Sequence, residues 1–136
     1  MKLLLLCLPL CISLTVFGQT TKTTVDSIEY RYQQCLSQGG SSYNCALAYY
    51  QEMDRLLAAV YNQVYNNLDN PRRETLELAQ AQWAEKKEAY FKDIEIRAEK
   101  KRPLTLAGLD DDMIVTDNKA AYLKRRVIDL LKSIHS

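Results

Sequence analysis

The chain has 136 residues, with 18 Lys plus Arg against 17 Asp plus Glu, a single His and four Cys. Met1 and Lys2 followed by the apolar stretch Leu3 to Phe17 read as an export leader ending at Gly18; its loss removes Lys2 and so leaves 17 basic against 17 acidic groups. A neutral remainder of this size supports one hydrophobic core, and its charge balance excludes the electrostatic footprint of a nucleic-acid or anionic-membrane binder.

The apolar stretch is shorter than the roughly 20 residues that cross a bilayer, and the polar run Gln19 to Thr24 follows it directly. Residues 1–18 are therefore expected to be a cleaved signal peptide and 19–136 one domain, with no membrane span after the leader is removed. Cys7 and Cys11 go with the leader, and Leu6 and Leu10 before them lack the small side chain a lipoprotein cut requires. The expected location is the periplasm or the exterior.

Val25 to Leu36 fits a short helix with Ile28, Tyr32 and Cys35 or Leu36 on one side. Cys35 and Cys45 are the two cysteines that survive, and in an oxidising compartment they are expected to form a disulfide around the Gly- and Ser-rich segment Ser37 to Asn44. Two Cys and the terminal His135 are too few for a zinc site, and the spacing is not that of a redox Cys-x-x-Cys pair.

From Leu47 the apolar residues Tyr50, Met53, Leu57, Val60, Tyr61, Val64, Tyr65 and Leu68 recur at three and four, the stripe of a long helix. Asn70-Pro71 reads as a cap and a first-turn proline. A second stripe, Leu76, Ala79, Trp83, Tyr90, Ile94 and Ala98, runs to Pro103. The two are expected to fold back as an antiparallel hairpin. Residues equidistant from the turn then face each other, which puts Leu57 by Trp83, Tyr61 by Gln80, and Asp54 by Lys86 or Lys87. A carboxylate on an apolar stripe requires a partner, so the expectation is a buried Asp54 to Lys87 ion pair, with Arg126 as the substitute cation. Pro103 to Thr116 reads as a connection holding the acidic turn Asp110-Asp111-Asp112. A last helix from Thr116 or Asp117 turns Ala120, Leu123, Val127, Leu130, Leu131 and Ile134 inward. The fold class is all-α, a small helical bundle on a long antiparallel hairpin with one disulfide.

Catalytic groups are sparse. A Ser or Cys nucleophile requires a base within reach, and His135 lies one residue from the end. Gly39-Gly40 lacks the Lys-Ser/Thr of a phosphate loop, and three consecutive acids point in different directions rather than converging on a cation. An enzyme is not expected, nor a cofactor or a metal.

Cys45-x8-Asp54-x2-Leu57-x3-Tyr61 followed by Leu76-x2-Ala79-Gln80-x2-Trp83, with Lys87-Glu88 where an Arg-Asp pair is usual, resembles the LprI-like lysozyme inhibitor family over about residues 35 to 131. Ala58, Phe91 and Asn118 depart from that pattern, the last two at positions where a second cysteine pair is common. The resemblance implies a helical domain in which Leu57, Tyr61, Ala79, Gln80 and Trp83 form a core motif. It also implies an exported binding protein that blocks a muramidase. Loop insertion by the stapled segment, with Tyr43 as its aromatic anchor, is the expected mode, and Asp110, Asp111 and Asp112 offer an acidic patch for a basic enzyme. The alternative is an envelope interaction or scaffold module that binds another protein or a cell-wall glycan through tyrosines, of which Tyr30, Tyr43 and Tyr49 fall outside the core stripes.

Overall fold

The computed structural model describes residues 16–102 and 108–134, with side chains from 22 to 102 and from 111 to 133. The leader residues 1–15, Pro103 and His135 lie outside the described residues. Within them the chain forms four helices, α1 Val16–Ser37, α2 Ser42–Asn66, α3 Asn70–Lys101 and α4 Gly108–Ile134, and among the described residues no helix is long and apolar enough to cross a membrane.

Local chemistry sets the helix ends. Gln38 to Ser41 join α1 to α2, with Gly39 at φ 74°, a left-handed conformation that favours glycine. The Ser41 hydroxyl accepts from the Asn44 backbone N–H at 3.3 Å, capping α2. Asp69, rather than Asn70, caps α3: its carboxylate accepts from the Arg72 N–H at 3.1 Å, and Pro71 occupies the first turn, where its missing N–H costs nothing. Arg73 reaches back from α3 and donates to the Tyr65 carbonyl at 3.0 Å, satisfying one of the last carbonyls of α2.

Cross-helix contacts fix the directions. Tyr32 stacks on Tyr49 and Arg31 pairs with Glu52, so α2 returns along α1. Tyr122 stacks on Trp83 and Tyr90, and Arg102 pairs with Asp112, so α4 returns along α3. α2 and α4 consequently run parallel, and they form the most extensively packed helix pair. Met53, Leu57, Val60 and Val64 of α2 and Ala120, Leu123, Val127 and Leu130 of α4 are all buried, with Met53, Ala120 and Val127 at 0% exposure. α1 closes one flank with Val25, Ile28 and Tyr32. α3 lies along α4 and buries only Phe91 and Ile94.

The all-α bundle and the Cys35–Cys45 disulfide, Cα to Cα 5.7 Å, agree with expectation. Three details differ. α1 extends well before Val25. The segment read as a connection up to Thr116 is helical from Gly108, because three acids at a helix N-terminus complement its dipole and favour an early start. The hairpin helices α2 and α3 are consecutive and antiparallel, but α4 rather than α3 covers the apolar stripe of α2.

Replacing both Cys35 and Cys45 by Ser is expected to leave the helical content intact and to cost about 3 kcal/mol of stability, from the chain entropy of so short a ring. Met53→Ala is expected to cost about 3 kcal/mol from its cavity. Chemical denaturation followed by circular dichroism measures both.

Candidate functional site

Because α4 occupies the inner face of both helices, the outer flanks of α2 and α3 leave an open groove between them. Asp54, Leu57, Ala58, Tyr61 and Asn62 line it from α2, and Gln80, Trp83, Ala84 and Lys87 from α3, around a volume of about 330 Å³. Leu57 is buried, Tyr61, Gln80, Trp83, Ala84 and Lys87 are half-buried, and Asp54, Ala58 and Asn62 are exposed.

The walls are held from behind by α4. The Arg126 Nε donates to the Gln80 Oε1 at 2.9 Å, and its guanidinium carbon lies 5.8 Å from the centre of the Trp83 ring. Tyr122 stacks on Trp83 at 5.9 Å and on Tyr90 at 4.8 Å and meets Phe91 edge-on at 6.1 Å, and Phe91 in turn meets Tyr50 at 6.3 Å, so the tryptophan belongs to a five-ring cluster. Burial pulls the Arg126 guanidinium below its ordinary value, opposed by Asp129 and Tyr61 nearby. Its Nη2 is buried with no hydrogen-bond partner among the described residues.

The residues expected to face each other across the hairpin thus line one groove. Their environment differs from expectation. Asp54 is exposed, not buried, and the ion pair of Lys87 is with its neighbour Glu88 at 3.0 Å. Lys87 Nζ also lies 5.7 Å from the centres of the Trp83 and Phe91 rings. The expected buried Asp54–Lys87 pair is replaced by a partly buried Arg126 on Gln80 and Trp83. The reason is geometric: Asp54 is one residue from Met53, the centre of the buried stripe, and that step of about 100° carries it onto the open flank. Of the core motif only Leu57 is fully buried; Tyr61, Gln80 and Trp83 line the groove and Ala79 is exposed. Arg126, expected as the substitute cation for Asp54, instead meets Gln80 and Trp83.

At the stapled end, Tyr43 lies in the first turn of α2, half-buried, beside the disulfide. Since α2 and α4 run parallel, Asp111 and Asp112 in the first turns of α4 lie at the same end; Asp112 pairs with Arg102 at 2.7 Å. The Asp110 side chain lies outside the described residues. Tyr30 is exposed, whereas Tyr49 is buried and stacked on Tyr32 at 4.5 Å.

That stacked pair faces Glu29, Asp117 and Lys124. The Tyr49 hydroxyl donates to Glu29 at 3.4 Å, and Lys124 pairs with the same carboxylate. Burial and then the Asp117 charge push the Tyr32 phenol up to about 12; burial, then Glu29 and Asp117, push Tyr49 up as well. Among the described residues no three His, Cys, Asp or Glu side chains gather as metal ligands.

A family model described as lysozyme inhibitor LprI matches residues 35–130, more than half of the chain. No curated protein and no solved structure shows a significant match.

A raised phenol favours the fold while it is protonated. The stabilisation is complete below pH 10, near the phenol's unfolded value, and is lost as pH rises through about 12. Thermal melts are expected to fall over that window in the wild type and to fall less in Tyr32→Phe. Equal alkaline loss in both chains contradicts the assignment.

Proposed function

The chain belongs to the lysozyme inhibitor LprI family, and on that premise we propose that it is an exported protein that binds a muramidase and blocks it. The observation that carries this reading is the match itself, which takes in the disulfide, both walls of the groove and most of α4. The apolar stretch after Met1-Lys2 supports export.

The contact is assigned to the stapled end. A docking surface gains affinity when it is rigid before binding, because less conformational freedom is lost. The turn at Gln38 to Ser41 is clamped by the disulfide and by the Ser41 cap, and Tyr43 stands next to it as a half-buried aromatic. Helix takes up Ser37 and Ser42–Asn44, so four residues are left outside it. A turn that short favours a blunt end pressed on the cleft rim over a long loop threaded into it. At the same end Asp112 is paired with Arg102, so the steering of a basic enzyme by the acidic turn is weakened by that cation and is lost in salt.

Purified residues 19–136 titrated into chicken-type and goose-type lysozyme lysis assays are expected to inhibit at least one of them at a molar ratio near unity. Tyr43→Ala is expected to weaken that inhibition about tenfold, as loss of an aromatic anchor does, while melting unchanged. Full lytic activity under a large molar excess of the chain removes the reading, and retention on peptidoglycan sacculi in the same experiment favours an envelope scaffold module instead.

A further inference from the structure

The groove between α2 and α3 lies along the sides of these helices, away from the stapled end. We propose that it binds one N-acetylated hexosamine ring of a glycan chain.

Size is the first argument. A volume of about 330 Å³ falls at the small end of the range of about 300–1,000 Å³ for small-molecule sites, suitable for one substituted pyranose and too narrow for a helix.

The walls are the second. Tyr61 and Trp83 bring an aromatic ring from each side, and aromatic surface accepts the C–H face of a sugar ring while polar edges meet its hydroxyls. Trp83 is held by Tyr122 and Arg126, so ordering it costs little on binding. The carbonyl of Gln80 is committed to Arg126 Nε; what this side chain has left to offer is its pair of N–H donors, which suit the carbonyl of an acetamido group. Asn62 supplies a second amide, and Asp54 an acceptor for the acetamido N–H. Leu57, Ala58 and Ala84 provide apolar surface for the acetyl methyl.

Charge selects among ligands. Asp54 and Lys87 stand on opposite walls of the groove, Lys87 is paired with Glu88, and Arg126 behind Gln80 and Trp83 has Asp129 nearby. Where cations and carboxylates are interspersed in this way, a neutral sugar ring meets donors and acceptors without bringing an uncompensated charge to the groove.

The test is ¹⁵N shift mapping of residues 19–136 against triacetylchitotriose, with maltotriose, which lacks acetamido groups, as control. Saturable shifts are expected within 54–62 of α2 and 80–87 of α3, and maltotriose is expected to produce none. Ala58 is exposed and small, so Ala58→Trp fills the groove without touching the core; it is expected to weaken binding at least tenfold at an unchanged melting temperature. Gln80→Ala is expected to weaken it less, with discrimination against maltotriose reduced. The proposal is overturned by the absence of groove shifts at about 10 mM sugar, a concentration above any useful affinity, by equal shifts with maltotriose, or by wild-type binding in Ala58→Trp. No lysozyme is present, so failure here leaves muramidase inhibition standing.

Discussion

The parallel packing of α2 on α4 is the constraint from which the other features of the bundle follow. Met53 and Val60 on one side and Ala120, Leu123 and Val127 on the other are almost without solvent contact, and the small Ala120 allows two backbones to approach closely. Burial of fully enclosed Leu, Val and Met side chains contributes on the order of 1.5–3 kcal/mol each before entropy is charged against it. With both inner faces spent on each other, α2 and α4 have only their flanks to offer. α1 takes one side through Tyr32 and the disulfide. α3, polar over most of its length, takes the other through the rings of Phe91, Trp83 and Tyr90 against Tyr122.

The groove is a consequence of that shortage of apolar surface on α3. A third helix with a full apolar stripe would close against α2 and leave no room. Here Phe91 and Ile94 are its only buried residues among those described, and Arg126 fills the space behind Gln80 and Trp83 with a partly buried cation instead of a methyl group. A partly buried guanidinium with an unpaired nitrogen costs stability. Its placement behind the groove residues suits a surface that is held for recognition more than for packing. The two ends of the bundle are treated differently: the Arg73 and Asp69 caps close the turn between α2 and α3 by hydrogen bonds, while the opposite end is closed covalently.

Much of this was legible from spacing. The two cysteines outside the apolar N-terminal stretch specify one bridge, and the three-and-four recurrence from Leu47 to Leu68 specifies a helix whatever covers it. The equidistance rule about the turn brought Leu57, Tyr61, Gln80 and Trp83 into one groove, since it depends on chain connectivity alone. What periodicity could not supply was the occupant of each face. Both α3 and α4 carry apolar residues at helical spacing, and nothing local says that Leu123 and Val127, rather than Ala79 and Trp83, meet Met53. From that one choice follow the exposure of Asp54, the exposure of Ala79 and the partial burial of Arg126. The early start of α4 was hidden for another reason: Asp110-Asp111-Asp112 reads as a solvated turn, and acids at a helix N-terminus look the same in sequence.

Native-state hydrogen exchange by mass spectrometry tests the arrangement most directly. If the α2 and α4 seam holds the bundle together and α3 is laid on it, amides in the middle of α2 and of α4 exchange together and last, at the rate of global unfolding, while those of α3 exchange earlier through its separate release. Protection of α3 equal to that of α2, with α4 exchanging first, would show that the hairpin and not the parallel pair is the stable unit, and would contradict the account.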